Sequence, residues 1–250
     1  MSIEKIALVT GSSRGIGAAT ARLLASQGYG ICINYQANAQ AALELQAEIQ
    51  ARGARAIAVQ ADVSQEEDVQ RLFKAVDEQL GRITALVNNA GILATQMRVE
   101  DMDAARINRI LTTNVTGYFL CSREAIRRMS PRHGGQGGAI VNVSSAASRI
   151  GSPGEYVDYA ASKGAVDTLT TGLALELAAD GIRVNGVRPG IIYTDIHASG
   201  GEPGRVDRVK QNIPMQRGGW PEEVAQAIAW LLSDASSYST GAFIDVTGGR

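Results

Sequence analysis

Seven short apolar runs recur along this chain, and longer amphipathic segments separate them. The runs are 5–10, 30–35, 54–60, 84–88, 139–144, 182–188 and 242–246. Several are rich in valine and isoleucine, as is typical of strands that are covered on both faces. Apolar strands that alternate with helical segments favour one parallel sheet between two layers of helices. The pattern therefore predicts a doubly wound α/β fold with a seven-stranded parallel sheet.

The chain shows no repeat, linker or low-complexity segment, so residues 1–250 are predicted to form a single domain. One segment interrupts the alternation. Around 195–215 the chain carries Gly200, Gly201, Pro203 and Gly204 among several charges. An insertion of this length in a compact domain is often a lid over a site, although a plain surface loop is the alternative.

Composition excludes several classes of function. The formal net charge is −1, so no basic face for nucleic acid is indicated. No run of about 20 apolar residues could cross a membrane, and no signal peptide is visible, so a cytoplasmic protein is expected. The two cysteines, Cys32 and Cys121, fit small buried thiols rather than a disulfide or metal site. His133 and His197 lack a zinc motif, and no metal is predicted.

Two helix starts can be predicted. Ser64 and Glu67 have the spacing of a capping box at the start of a helix over 64–80. Pro221 is expected at the first position of the last long helix, where its missing N–H costs nothing.

A glycine-rich turn follows the first strand and precedes the first helix. Gly11, Gly15 and Gly17 follow the spacing G-x-x-x-G-x-G. Glycine lets backbone N–H groups approach a phosphate, and the helix N-terminus adds partial positive charge. An ordinary tight turn is the alternative, but the position at a strand-to-helix junction predicts a dinucleotide site.

The end of the second strand bears on which dinucleotide binds. Sites for NAD usually carry Asp or Glu there, whereas this strand ends in Asn34 and Tyr35. Arg14, inside the glycine turn, could instead pair with a 2′-phosphate. The sequence therefore predicts NADP in preference to NAD.

Tyr159 and Lys163 are four residues apart, which places them on one face of a helix. A nearby ammonium favours the phenolate and so lowers the pKa of a tyrosine, which makes it a better acid–base group. Ser144 and Ser145 end the fifth predicted strand, where a hydroxyl could bond a substrate oxygen. Tyr156 competes with Tyr159, but no ammonium lies four residues after it.

These motifs together resemble the short-chain dehydrogenase/reductase family, over essentially the whole chain. The matching positions are Thr10–Gly17, Asp62–Val63, Asn88–Gly91, Asn114, Ser145, Tyr159–Lys163, Pro189–Gly190 and Thr247–Gly249. The resemblance implies a Rossmann fold and a hydride transfer between a nicotinamide cofactor and a carbonyl or secondary alcohol. Dimers or tetramers of identical chains are common among such proteins.

The resemblance also implies residue roles. Tyr159 is the general acid or base, Lys163 lowers its pKa and holds the nicotinamide ribose, Ser145 polarises the carbonyl, and Asn114 holds a relay water. The cofactor is expected to lie along Gly11, Ser13, Arg14, Gly15, Ile16, Gly17, Asn34, Tyr35, Asp62, Val63, Asn89, Ala90, Gly91, Pro189, Gly190, Ile192 and Thr194, besides Tyr159 and Lys163.

Two departures from the family pattern stand out. The spacing from Ser145 to Tyr159 is one residue longer than usual, which places an extra residue within 149–155 and leaves Ser144 as an alternative donor. Arg188 stands where a small residue is common. A cofactor-binding sensor without catalysis, or an isomerase or dehydratase that uses nicotinamide transiently, remain alternatives. The residues do not choose among acyl thioesters, sugars, steroids and small ketones as substrate.

Overall fold

The computed structural model describes residues 4–250. Its seven strands form one parallel sheet in the order β3-β2-β1-β4-β5-β6-β7. The strands are β1 (Ile6–Val9), β2 (Gly30–Tyr35), β3 (Ala56–Gln60), β4 (Ala85–Asn88), β5 (Gly138–Val143), β6 (Ile182–Pro189) and β7 (Phe243–Val246). Each lies within two residues of a predicted run, so the predicted strands are confirmed.

Ten α-helices connect and flank these strands in the described part of the chain. They are α1 (Gly15–Ser26), α2 (Ala39–Ala51), α3 (Glu66–Gln79), α4 (Ala104–Leu111), α5 (Gly117–Met129), α6 (Ala147–Ile150), α7 (Val157–Leu177), α8 (Ile196–Ser199), α9 (Arg205–Val209) and α10 (Pro221–Leu232). A π-helical turn, Thr112–Thr116, joins α4 to α5. Pro221 begins α10, as predicted.

The core lies on both faces of the sheet. On one face, Leu24 of α1, Leu45 of α2 and Ile228 of α10 pack against the strands. On the other face, Phe73 of α3 and Ala125 of α5 do so, together with residues of α7. Both thiols are buried, as predicted, and burial raises the pKa of Cys121 to about 12. The doubly wound α/β prediction is confirmed, since helices cover both faces.

The strand order reverses between β1 and β4, and this reversal positions the site. In open α/β sheets the crevice at such a point lies outside the carboxyl ends of the strands. The chain segments that follow β1, β4 and β5 therefore converge on one opening.

The predicted capping box at Ser64 is wrong. Helix α3 begins at Glu66, two residues late, and its N-terminus has no side-chain cap. The Asp62 carboxylate accepts the backbone N–H of Ser64 at 2.9 Å, and Asp68 accepts that of Asp62 at 2.8 Å. The two aspartates therefore stabilise the turn before α3, where the sequence predicts a serine cap.

The segment 195–215 contains short helices rather than a bare loop. It holds α8, α9 and a 3₁₀ turn at Lys210–Asn212. Across residues 4–250, no helix combines the length and the apolar character that crossing a membrane requires.

Candidate active site

The glycine turn after β1 adopts a conformation that larger residues would strain. Gly11 has φ +60°, and a Cβ there would lie 2.9 Å from the Cα of Ala90. A Cβ on Gly17 would lie 2.6 Å from Nδ2 of Asn89. The loop after β4 therefore packs directly on the turn after β1, and glycine is required at both contacts.

Polar side chains fix this turn from behind. The Gly11 N–H donates to Oδ1 of Asn34 at 3.1 Å, and Nδ2 of Asn34 donates to the Ala61 carbonyl at 3.0 Å. Nδ2 of Asn89 donates to the Thr10 carbonyl at 2.8 Å. The side chain of Asn34 is buried in these bonds, so it braces the glycine turn.

A cavity of about 790 Å³ opens above the carboxyl ends of the strands. Nearly all residues predicted for the site line it: Gly11, Ser13, Arg14, Gly15, Ile16, Asn34, Tyr35, Asp62, Val63, Asn89, Ala90, Gly91, Ser145, Tyr159, Lys163, Pro189, Gly190, Ile192 and Thr194. Gly17 and Asn114 do not. Gly17 is buried under the turn, and Asn114 lies behind the cavity wall.

Tyr159, Ser145 and Lys163 converge in this cavity. The Ser145 side chain lies beside the Tyr159 hydroxyl. Nζ of Lys163 lies 5.7 Å from the centre of the Tyr159 ring. Oγ of Ser144 points away and donates to the Lys163 carbonyl at 3.2 Å. Of the two serines, Ser145 is thus the one beside Tyr159.

Burial displaces the pKa values of Tyr159 and Lys163 in opposite directions. It raises the pKa of Tyr159 to about 12, although the neighbouring Ser145 hydroxyl lowers it. It lowers the pKa of Lys163 to about 7, against an upward contribution from Asp167. Nζ of Lys163 donates to the Val143 carbonyl at 2.8 Å, and the lowering of the Tyr159 pKa by this ammonium stays a prediction.

Asn114 lies in the π-helical turn, fully buried. Its Oδ1 accepts the Ile92 N–H at 2.8 Å, and its Nδ2 donates to the Ile92 carbonyl and to Oγ of Ser162. These bonds fasten the chain after β4 to the helices behind it. The Asn114 side chain is thereby occupied within the protein.

The outer wall of the cavity is built from the segment 195–215 and the loop after α6. Arg205 pairs with Glu155 and Glu202 and lies 5.0 Å above the Tyr156 ring. His197 also lines the cavity, where its Nε2 bonds the Ile192 carbonyl at 2.9 Å. The segment 149–155, in which an extra residue is predicted, ends α6 and continues into this loop, which contains Ser152 at φ +45°.

Arg188 has a structural explanation. Its guanidinium lies 3.8 Å above the Phe243 ring and pairs with Asp167 at 3.0 Å and Asp245 at 3.5 Å. It therefore ties β6 to α7 and β7, outside the cavity.

The whole chain can be compared with known proteins. A family model described as enoyl-(acyl carrier protein) reductase matches residues 11–250. The crystal structure of a short-chain dehydrogenase from Burkholderia cenocepacia J2315, in complex with NADP, superposes with a TM-score of 0.89 at 35% identity, covering 98% of this chain and 97% of that one. The chain belongs to the short-chain dehydrogenase/reductase family.

Two curated relatives within the short-chain dehydrogenase/reductase family agree with this assignment. The uncharacterized oxidoreductase YgfF of Escherichia coli K12 is 68% identical over 98% of this chain and 99% of its own length. A 3-oxoacyl-[acyl-carrier-protein] reductase of Synechocystis is 41% identical over 98% of this chain and 96% of its own. The chain is accordingly an NAD(P)-dependent oxidoreductase.

Sequence reasoning missed some residues around the site. Gln36, Ala37 and Asn38 after β2, and Thr113 in the π-helical turn, also line the cavity. Arg250 does so from the last position of the chain. Tyr118, which contacts Lys163, was missed because it sits inside an ordinary apolar stretch of α5 and has no motif of its own.

Proposed function

We propose that this protein transfers a hydride between NADP and a carbonyl or secondary alcohol, with Tyr159 as general acid and base. The observation that carries the proposal is the convergence of Tyr159, Ser145 and Lys163 in the cavity that the glycine turn also lines. A phosphate-binding turn and an acid–base pair in one cavity are what such a reaction requires.

The residues present fit a dinucleotide. A Cβ at Gly11 would collide with Ala90, so the close approach of backbone there depends on glycine. Helix α1 begins at Gly15 and directs its N-terminal N–H groups and partial positive charge toward this turn. The glycine turn would hold the pyrophosphate, and the residues after β3, β4 and β6 would hold the rest. The cofactor supplies or accepts the hydride.

The chain's own residues would handle the proton and the carbonyl oxygen. The Ser145 hydroxyl would donate a hydrogen bond to that oxygen and stabilise the charge that develops on it. The Tyr159 hydroxyl would give up its proton in reduction and take one back in oxidation. The Lys163 ammonium, when protonated, would favour the phenolate and hold the ribose hydroxyls beside Tyr159.

The preference for NADP rests on charge at the cofactor's 2′ position. Strand β2 ends at Tyr35 with no carboxylate, and the nearby Asp62 accepts the Gln36 amide at 2.7 Å. Arg14 is exposed just before α1, and among residues 4–250 its guanidinium contacts only Ser199, at 3.5 Å, so it could turn to meet a phosphate. Tighter binding of NAD than of NADP would contradict this preference.

The segment 195–215 is proposed as a lid over the substrate end of the cavity, since α8 and α9 form its outer wall. Self-association into dimers or tetramers is proposed as well, on the exposed apolar side chains discussed below. A cytoplasmic location stays a prediction.

The test is to measure NADPH and NADH oxidation with a panel of small ketones, hydroxyketones, sugars and 3-oxoacyl thioesters. Turnover with NADPH that Tyr159→Phe abolishes is the expected result. Tyr156→Phe is the matched control, because Tyr156 lines the same cavity without touching Lys163. Normal turnover in Tyr159→Phe would overturn the assignment of Tyr159. If the wild type binds NADP but oxidises neither NADPH nor NADH with any compound of the panel, a non-catalytic sensor would be favoured.

A further inference from the structure

A second tyrosine, Tyr118, contacts Lys163 from outside the predicted site. Tyr118, in α5, is 1% exposed and packs against Val166 and Leu169 of α7. Its hydroxyl donates to the Val143 carbonyl at 3.0 Å, and Nζ of Lys163 donates to that hydroxyl at 3.2 Å. Nζ also lies 5.0 Å from the centre of the Tyr118 ring. The ring and the hydroxyl of Tyr118 thus both face the ammonium.

Few other polar groups contact Nζ of Lys163 in the described part of the chain, so its bond to the Tyr118 hydroxyl is important. From β5 only the Val143 carbonyl bonds Nζ, at 2.8 Å. On α7, Tyr159 presents its ring, and Asp167, one turn further on, has its carboxylate paired with Arg188. Cys121 on α5 is a buried thiol beside Tyr118 with a raised pKa. No carboxylate among residues 4–250 is hydrogen-bonded to Nζ, so two neutral oxygens hold the buried charge.

We propose that Tyr118 is a positioning residue, which holds the Lys163 ammonium beside Tyr159 and favours its protonated form. A hydroxyl oxygen that accepts a hydrogen bond from a buried ammonium stabilises this charged form more than the neutral amine, and so raises the pKa of the lysine. Because burial already lowers the pKa of Lys163 to about 7, a small further loss changes its protonation near neutral pH. The consequence for catalysis rests on the proposed function, in which Lys163 acts protonated.

The variant Tyr118→Phe removes the hydroxyl and keeps the ring. One hydrogen bond to a charged group is lost, so we expect the pKa of Lys163 to fall by about one unit, a roughly ten-fold change in proton affinity. Tyr118→Met, which also lacks the hydroxyl, should shift the pKa in the same direction and serves if the Phe variant does not fold.

The first measurement is a pH titration of the protein labelled with ¹³C at lysine Cε, followed by NMR. The chain has four lysines, Lys5, Lys74, Lys163 and Lys210, so the spectrum is simple, and Lys163→Arg identifies the signal. Tyr29→Phe is the matched control. Tyr29 is also a buried tyrosine beneath a lysine, with Nζ of Lys5 5.6 Å from its ring centre, but it lies away from the cavity.

A lower Lys163 midpoint in Tyr118→Phe, with no change in Tyr29→Phe, is expected. An unchanged midpoint in Tyr118→Phe would overturn the proposal. This measurement needs no turnover, so it still decides the role of Tyr118 if no carbonyl compound is reduced and the proposed function fails.

The second measurement is the pH profile of kcat/KM with NADPH. If activity requires protonated Lys163, the ratio of wild type to Tyr118→Phe should stay near one at pH 5, reach about two at pH 6 and rise to about nine by pH 8. A loss that is the same at every pH would show a merely structural role for the hydroxyl and would contradict the proposal.

Discussion

At the scale of single residues, the acid–base pair is shaped by burial more than by mutual attraction. Tyr159 and Lys163 are both enclosed, and burial penalises the charged form of each. With a tyrosine pKa of about 12 and a lysine pKa of about 7, both groups are largely neutral at pH 8. Contacts that favour the ammonium, such as those from Tyr118 and Val143, therefore determine how much charge Lys163 can present to Tyr159.

The lowered pKa of Lys163 predicts how stability depends on pH. Between about 7 in the folded protein and 10.5 in the unfolded chain, only the unfolded chain keeps this proton. The free energy of unfolding should then rise with pH in that window, by at most about 1.4 kcal/mol per pH unit. Lys163→Met should remove this rise. Urea denaturation at pH 7.5, 8.5 and 9.5 measures it, and parallel pH slopes in both proteins would contradict it.

Ser145 and Ser144 offer a paired test at the end of β5. Ser145→Ala should lower kcat by about a hundred-fold or more, because the hydroxyl beside Tyr159 is the one placed to stabilise charge on the substrate oxygen. Ser144→Ala removes a buried bond to the Lys163 carbonyl, so it should cost about 1 kcal/mol of stability and much less rate. Steady-state kinetics and thermal unfolding separate the two. Equal rate losses would count against the distinction.

At the scale of elements, the strands and the glycine turn were predictable because their determinants are local. A buried parallel strand needs only a short apolar run, and the turn at Gly11 needs glycine where φ is +60°. The start of α3 was not predictable in the same way. Ser64 carries a local capping signal, but in the folded chain the carboxylates of Asp62 and Asp68 accept the backbone N–H groups of this turn instead.

The residues of the site divide in the same way, into those with a local signal in the sequence and those that only the fold brings together. Motif residues such as Tyr159 and Lys163 carry their spacing in the sequence. The position of Asn114 depends instead on bonds to Ile92, 22 residues away, and on a π-helical turn that no local pattern indicates. Tyr118 meets Lys163 across 45 residues of chain, so only the packing of α5 on α7 brings them together.

The proposed lid makes a prediction at this scale. Arg205 joins it to the loop after α6 through Glu155. The Arg205 side chain is largely buried, and that of Glu155 is partly buried. Glu155→Gln keeps the size and removes the charge that faces Arg205, so the lid should close less firmly and KM for the carbonyl substrate should rise about three- to ten-fold. Glu100→Gln is the matched control, since its pair with Arg98 is exposed and of little energetic value. An unchanged KM in Glu155→Gln would contradict a role of the Arg205–Glu155 pair in closing the lid.

At the scale of the whole molecule, β7 is one of the two edge strands of the sheet, and several large apolar side chains of the described chain are exposed. Strand β7 pairs only with β6, and helix α10 packs against it. Trp230 on α10 is 44% exposed, and Tyr238, before β7, is fully exposed. Open edges and exposed aromatic groups are usually covered by another chain.

We therefore expect a particle larger than the 26.3 kDa chain, with the β7 and α10 side as a contact between copies. Placing charge there should oppose the contact, because an interface core excludes unpaired charge. The double variant Trp230→Glu with Tyr238→Glu should shift the mass toward the single chain in light scattering at micromolar concentration. Leu43→Glu, a matched change at a 52% exposed leucine on α2, should leave the mass as it is. A wild-type protein that scatters as a monomer would contradict self-association. A multimer that persists in the double variant would place the contact on another face, such as the one bearing Phe119 on α5.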